Sequence, residues 1–210
     1  MKNKLLMFLY ALVVPCITWL VFLNYEKYHL DSEKYCEQGK QAYLDGDSDA
    51  AIDYYSKAID CDVSCVEAYK CRGFLYAATK KYDEAISDYT EVIKLAPEIS
   101  VVYLNRGGAY YLTGQYDKAI ADCNKCIEFD PDETSGYLLR ARAYQALGEN
   151  EKALADYTHI IEIKSVSEAD NVSLAESYFN RAQLYDQKGD HDAADADRAR
   201  AIALDPELAK

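Results

Sequence analysis

Three octapeptides with a shared pattern start 34 residues apart: Tyr69-Lys-Cys-Arg-Gly-Phe-Leu-Tyr76, Tyr103-Leu-Asn-Arg-Gly-Gly-Ala-Tyr110 and Tyr137-Leu-Leu-Arg-Ala-Arg-Ala-Tyr144. A second phrase follows each of them at a constant offset: Tyr82-Asp-Glu-Ala-Ile-Ser-Asp-Tyr89, Tyr116-Asp-Lys-Ala-Ile-Ala-Asp-Cys123 and Asn150-Glu-Lys-Ala-Leu-Ala-Asp-Tyr157. A repeat of this length is typical of stacked helical hairpins, because one hairpin alone cannot bury its apolar face. The period therefore predicts an all-α protein whose surface, rather than a reaction centre, carries its function.

The repeat extends outward from these phrases over most of the chain. In every block, apolar residues at helical spacing stand on both sides of a short break, so we expect two amphipathic helices folded back on one another. Small residues at block positions 8, 20 and 27 allow the two backbones to approach closely. Glycine marks the break in four blocks, at Gly46, Gly114, Gly148 and Gly189. The blocks cover residues 32–65, 66–99, 100–133, 134–167 and 175–208, with an insertion at 168–174.

The blocks resemble the tetratricopeptide repeat family, whose pattern has aromatic, small and proline residues at fixed positions. The second block matches at Tyr69, Gly73, Tyr76, Ala85, Tyr89 and Pro97. The first block departs from the pattern at Ala42 and Val63, and the fourth has Ser165 where proline is expected. The resemblance implies a right-handed α-solenoid of five helix-turn-helix repeats over residues 31–210. It also implies protein binding and no cofactor or enzymatic activity.

Arginine and aspartate recur together at positions 7 and 23 of the last four blocks, and both are missing from the first block. We predict a structural ion pair between these two positions, partly buried beside the aromatic residues. An arginine ladder that binds anions is the functional alternative. The predicted pairs are Arg72 with Asp88, Arg106 with Asp122, Arg140 with Asp156, and Arg181 with Asp197.

The inner face of such a solenoid is formed by positions 2, 5, 6, 9, 12 and 13 of each first helix, as the resemblance implies. In the middle repeats these positions are apolar with a few polar side chains, which suggests a groove for an extended segment or a helix of a partner protein. The alternative is that neighbouring parts of the chain cover them. The candidate groove residues are Lys70, Phe74, Leu104, Asn105, Tyr111, Leu138, Arg142, Phe179 and Asn180.

Residues 5–23 form an uncharged apolar run. At 1.5 Å per residue the run just spans a bilayer core of about 30 Å. It predicts a membrane anchor or an uncleaved signal, with residues 1–30 as anchor and flank. The short amino-terminal tail favours a single-pass protein with its repeats outside the cytoplasm, in the periplasm if the source is bacterial. The opposite orientation, with cytosolic repeats, stays open.

Six of the seven cysteines lie in the repeats. Cys36 and Cys71 occupy inner-face positions of neighbouring first helices, so a disulfide between them is a candidate if their Cα atoms approach within about 7 Å. A local bridge between Cys61 and Cys65 is another candidate. A zinc site is a weaker interpretation, because no histidine or second cysteine pair stands at finger spacing.

Charge and motifs narrow the function further. The net charge of −13 disfavours nucleic-acid binding and suits a basic or neutral peptide partner. The three histidines are scattered, and no phosphate-binding loop or metalloprotease motif occurs. We therefore predict a membrane-tethered scaffold that binds a protein partner and is not an enzyme. The alternatives are an assembly subunit that self-associates through its ends and a co-chaperone-like adaptor with a modified carboxylate clamp.

Overall fold

The computed structural model describes residues 27–164 and 171–209. These residues divide into two compact units, with the boundary between Leu75 and Tyr76; unit 1 precedes it and unit 2 follows it. Within these ranges the chain is all-α and has no strand. The described part of α1 covers residues 27–44. The later helices are α2 (Ser48–Cys61), α3 (Val66–Ala78), α4 (Tyr82–Leu95), α5 (Ser100–Leu112), α6 (Tyr116–Phe129), α7 (Thr134–Ala146), α8 (Asn150–Lys164), α9 (Asn171–Lys188) and α10 (His191–Leu204), and a 3-10 turn follows at Pro206–Ala209.

The helices pair as the repeat predicts. In unit 2, α5 packs on α6, α7 on α8 and α9 on α10, and each pair also contacts the next. The alanines at position 20, Ala119, Ala153 and Ala194, are fully buried, so no larger side chain separates the helices there. Tyr89 and Tyr157, at position 24, fill the space beside them. The handedness of the solenoid stays a prediction.

Unit 1 has its own core, built from the same repeat positions. Ala51, Tyr55 and Ala58 of α2 are buried together with Ala68 and Leu75. Tyr55 packs directly on α1, where a Cβ added to Gly39 would lie 2.9 Å from the Tyr55 ring. The small residue at position 8 is therefore required by close contact between the first and second helices.

The outer boundaries of the helices differ from the predicted repeat edges at two places. Residues 27–30, assigned to the flank, belong to α1, and residues 171–174, assigned to the insertion, form the first turn of α9. Neither segment contains glycine or proline, so nothing in the backbone stops a helix there. The division into an anchor at 1–30 and a solenoid at 31–210 stays a prediction.

The predicted localisation is wrong. Among residues 27–164 and 171–209, no helix is both long enough and apolar enough to cross a bilayer. This finding contradicts a single-pass membrane protein with extracytoplasmic repeats, and we withdraw that localisation. The predicted anchor itself, residues 5–23, lies outside the described residues.

The turn inside each hairpin needs a left-handed residue at position 15. The four glycines there have φ between 75° and 83°, but in the second repeat the residue is Lys80, with φ of 63°. A side chain in this conformation costs roughly 1 kcal/mol, because Cβ approaches the following carbonyl oxygen. Lys80 is therefore a point of backbone strain in an otherwise regular turn.

We expect Lys80→Gly to stabilise the protein by up to about 1 kcal/mol, because glycine adopts this φ without strain. The measurement is the urea midpoint followed by circular dichroism. Gly114→Ala is the matched control with the opposite sign: φ is 75° and no atom lies within 4 Å of the added Cβ, so only backbone strain changes. A lower midpoint for Lys80→Gly than for the parent protein contradicts the prediction.

Candidate functional site

A polar pocket of about 370 Å³ opens on the first helices of three consecutive repeats in unit 2. The spacing of its residues on α7 and α9 follows the helical period, so each helix presents one face to the pocket. All of the lining residues occupy positions of the predicted groove. They are Tyr111 of α5, Arg142, Gln145 and Ala146 of α7, and Glu176, Asn180 and Gln183 of α9.

An ion pair between Arg142 and Glu176 crosses this pocket from α7 to α9. Arg142 Nε donates a hydrogen bond of 2.8 Å to Glu176 Oε1, and Arg142 Nη2 contacts the same oxygen. Asn180 Nδ2 lies 3.4 Å from that oxygen as well. Both charged side chains are about one third exposed, so the pair is screened by water and stabilises the fold little. A ligand can therefore compete for either charge at small cost.

Glu176 is a functional candidate that the sequence interpretation did not select. It stands at position 2 of its repeat, whereas Arg142 stands at position 9 of the preceding one. Opposite charges at two groove positions of neighbouring first helices are a usable signal for such a pair, since these helices are in contact. Nothing in the sequence, however, says that these two long side chains turn toward each other.

Tyr157 links the polar pocket to the hydrophobic core. The Tyr157 side chain is fully buried, and its hydroxyl donates to Gln145 Oε1 at the pocket surface. Burial raises the pKa of the Tyr157 phenol well above its ordinary value, so the hydroxyl remains a hydrogen-bond donor at neutral pH. The orientation of Gln145 is thus tied to the packing of the core.

The remaining groove candidates in unit 2 are placed differently. Leu104, Asn105 and Phe179 are half-buried and do not line the pocket. Leu138 is only 9% exposed and packs with Tyr157, Ile160 and Leu184. Leu138 therefore contributes to the core beside Leu184 of α9, and its assignment to the groove stays a prediction.

Two groove candidates belong to unit 1. Lys70 forms an ion pair with Glu67 one turn earlier on α3, at 2.5 Å between Nζ and Oε2. Phe74 is 48% exposed and meets the Tyr43 ring edge-on, with 6.1 Å between ring centroids. Unit 1 therefore has an exposed aromatic pair of its own, next to a lysine whose charge is already matched.

The arginines at position 7 are embedded in the framework. In three repeats the guanidinium donates two hydrogen bonds to the aspartate of position 23, as with Arg106 Nε and Nη2 to the Asp122 carboxylate, each at 2.8 Å. Equivalent bidentate pairs join Arg140 to Asp156 and Arg181 to Asp197. Arg72 and Asp88 lie in different units, and their pairing stays a prediction.

The same arginines also contact the preceding repeat. In each, Nη1 donates a hydrogen bond of 2.6–3.0 Å to the polar side chain at position 25 of the preceding repeat. The pairs are Arg72 with Ser56, Arg106 with Thr90, Arg140 with Asn124, and Arg181 with Thr158. In Arg106, Arg140 and Arg181, three of the five N–H donors are thereby bonded to neighbouring side chains. This arrangement favours the structural interpretation over anion binding.

The cysteines of unit 1 are thiols in this structure. Cys36 and Cys71 are free thiols, as are Cys61 and Cys65. The Cys71 thiol donates to Glu67 Oε1 at 3.3 Å, whereas Cys36 Sγ lies 3.5 Å from Cys65 Sγ. In this structure the two sulphur atoms of Cys36 and Cys71 thus have different neighbours, and a disulfide between them stays a prediction. Among the described residues, no cluster of three metal-binding side chains occurs.

Comparison with known proteins identifies the repeats. Family models described as "Tetratricopeptide repeat" match residues 66–99, 100–133 and 132–207. No protein of curated function matches the sequence.

Several solved structures are similar in fold. The crystal structure of MamA protein has a TM-score of 0.76 at 23% identity, covering 85% of this chain and 94% of that one. The crystal structure of YrrB, titled "a TPR protein with an unusual peptide-binding site", has a TM-score of 0.69 at 19% identity, over 83% of this chain and 88% of that one. The C-terminal part of a TPR repeat-containing protein from Cytophaga hutchinsonii has a TM-score of 0.73 at 28% identity, over 84% of this chain and 70% of that one.

Proposed function

The chain belongs to the tetratricopeptide repeat family, and we propose that it is a non-enzymatic scaffold whose polar pocket on α5, α7 and α9 binds a peptide or helix of a partner protein. The observation that carries this proposal is the convergence of Tyr111, Arg142 and Asn180, from three separate repeats, on one pocket. YrrB, a protein of similar fold, is described as having a peptide-binding site. That description supports peptide binding as the class of function.

The chemistry of the pocket suits a polypeptide ligand. Arg142 and Asn180 supply hydrogen-bond donors, while the Glu176 carboxylate accepts, so the pocket can pair with both the carbonyl and the amide groups of an extended main chain. Glu176 also offers a place for a lysine or arginine side chain of the ligand. The overall charge of −13 favours a basic or neutral segment over an acidic one.

Exposed apolar side chains on α5 complement these polar groups. Val101 and Leu112 are about half exposed and stand at groove positions of the same helix as Tyr111. Burying such side chains supplies the affinity that polar contacts alone rarely give, whereas the polar contacts set the register of the ligand. Leu104, Asn105 and Phe179 stay candidate contacts on neighbouring positions, and Lys70 and Phe74 stay candidates in unit 1.

We expect Arg142→Ala and Asn180→Ala each to weaken peptide binding about tenfold, because loss of one hydrogen-bonding side chain in a partly buried site costs roughly 1.4 kcal/mol. Peptides selected from a displayed random library on the purified protein provide the ligand, and fluorescence anisotropy gives the Kd. Lys125→Ala is the control: Lys125 is exposed on α6 and pairs with the nearby Glu128.

Three results bear on this proposal. Loss of affinity in the two pocket variants with unchanged helicity supports it, provided that Lys125→Ala binds normally. Equal affinity in all variants contradicts it. If the pocket variants bind normally while light scattering shows that the parent protein self-associates through its terminal repeats, the assembly-subunit interpretation replaces it.

A further inference from the structure

A second pocket, of about 780 Å³ and wholly within unit 1, brings three thiol groups to one surface. Cys36 comes from α1, Cys71 from α3, and Cys65 from the residue just before α3. Cys36 Sγ and Cys65 Sγ lie 3.5 Å apart, in direct hydrogen-bonding contact. All three thiols are partly accessible, in contrast to the buried Cys123 and Cys126 of unit 2.

Cys65 occupies the N-cap position of α3. Its carbonyl oxygen accepts the amide of Tyr69 at 3.3 Å, which is the first hydrogen bond of the helix. The Ala68 amide, three residues on, acts to lower the pKa of the Cys65 thiol, as expected for a side chain at an N-cap. The positive end of the helix dipole and the Cys36 thiol therefore both lie next to one sulphur atom.

These contacts shift the pKa values of Cys65 and Cys36 in opposite directions. The close contact with the Cys36 thiol is the largest cause that lowers the pKa of Cys65, although burial acts in the opposite direction. The same contact, together with partial burial, raises the pKa of Cys36 well above its ordinary value. The pair therefore favours the thiolate on Cys65 and the protonated thiol on Cys36.

The other cysteines of the described ranges remain protonated at neutral pH, including Cys61, whose pKa is raised by burial. Burial and the Glu67 carboxylate raise the pKa of Cys71 to about 11. Burial raises the pKa of Cys123 to about 12 and also raises that of Cys126. Since the thiolate is the nucleophilic form, reactivity is concentrated on Cys65.

We infer that Cys65 and Cys36 form a peroxide-sensitive thiol pair, in which Cys65 is the site of oxidation by a hydroperoxide and Cys36 is the resolving thiol that closes a disulfide between α1 and the start of α3. This inference concerns unit 1 and is independent of the peptide pocket in unit 2. It assigns a modification site to a pocket that the repeat pattern does not explain.

The two steps balance. The Cys65 thiolate attacks one oxygen of hydrogen peroxide, a sulphur–oxygen bond forms, the oxygen–oxygen bond breaks, and the leaving hydroxide takes a proton from solvent. Cys36 sulphur then attacks the sulfenic sulphur of Cys65, a sulphur–sulphur bond forms, and hydroxide leaves with the Cys36 proton as water. Two thiols are oxidised and one peroxide is reduced to two waters. Reaching an S–S length of about 2.05 Å requires the sulphur atoms to approach by roughly 1.5 Å.

The first measurement uses the unmodified full chain. Alkylation by iodoacetamide, followed by mass spectrometry of the peptides, is expected to be at least tenfold faster at Cys65 than at Cys71 at pH 7, with a pH midpoint well below that of Cys71. Equal alkylation rates at the two cysteines overturn the inference. The charged groups that face Cys65 in this pocket, and whose own titration the profile must be compared with, are His29, Glu33, Glu37, Lys40, Asp62 and Glu67.

The second measurement identifies the partner thiol. A Cys61→Ser chain is treated with a small excess of hydrogen peroxide and digested with trypsin without reduction; the substitution removes a cysteine that otherwise shares a tryptic peptide with Cys65. We expect a Cys36–Cys65 linked peptide, which persists when Cys71→Ser is added. When Cys36→Ser is added instead, the link disappears and dimedone labels Cys65. Linkage to Cys71, or no oxidation of Cys65, overturns the inference.

Discussion

Arg106→Ala is expected to destabilise the protein by about 3 kcal/mol, because it leaves the carboxylate of Asp122 buried without its counter-charge. The two side chains are only 15% and 7% exposed, so water cannot replace the lost partner. The variant also loses the hydrogen bond from Arg106 Nη1 to Thr90, which joins two successive repeats. Urea denaturation followed by circular dichroism measures the change.

Two further variants separate the causes of this loss. Lys125→Ala breaks an exposed ion pair with Glu128 and is expected to change stability by less than about 0.5 kcal/mol. Replacing both members of the buried pair, with Arg106→Met and Asp122→Leu, is expected to cost less than Arg106→Ala alone, since no unpaired charge stays in the interior. A midpoint for Arg106→Ala equal to that of Lys125→Ala contradicts a stabilising role for the pair.

Tyr157→Ala is expected to cost about 3–5 kcal/mol, the range for truncating a large buried aromatic side chain. Tyr157 has no exposed surface and contacts the cluster formed by Leu138, Ile160 and Leu184. The cavity left by alanine lies between the second helix of its repeat and the first helix of the next. The same denaturation experiment measures this loss.

Tyr157→Phe is the matched variant, because it keeps the ring and removes only the hydroxyl that bonds Gln145. A cost of about 1 kcal/mol is expected from the lost hydrogen bond. Comparable losses in Tyr157→Phe and Tyr157→Ala are inconsistent with packing as the main contribution of this residue.

The proposed ligand pocket is linked to the same core. The Tyr157 hydroxyl orients Gln145 at the pocket surface. Leu138, which was expected in the groove, belongs to the core cluster that contains Tyr157. Leu138 and Arg142, about one turn apart on α7, therefore divide between stability and binding. Substitutions meant to test binding belong at Arg142 and Asn180, whose exposed polar groups can be removed without opening the core.

What the sequence determined by itself is the architecture within each hairpin. The 34-residue period, the small residue at position 20 and the left-handed turn at position 15 all act over short separations, where helical geometry leaves few alternatives. The ion pair between Arg106 and Asp122, sixteen residues apart, is also a feature of a single hairpin, since its two helices bring these positions opposite each other.

Only the tertiary structure decided which neighbour each side chain has across repeats. Leu104 and Leu138 occupy the same repeat position, yet one is half-buried and the other lies in the core, because burial depends on what the adjacent first helix supplies. Cys36 meets Cys65 rather than Cys71, because Cys65 stands just before α3 while the Cys71 thiol donates to Glu67. Such contacts depend on side-chain length, rotamer and the packing of successive helices, and a repeat pattern specifies none of these.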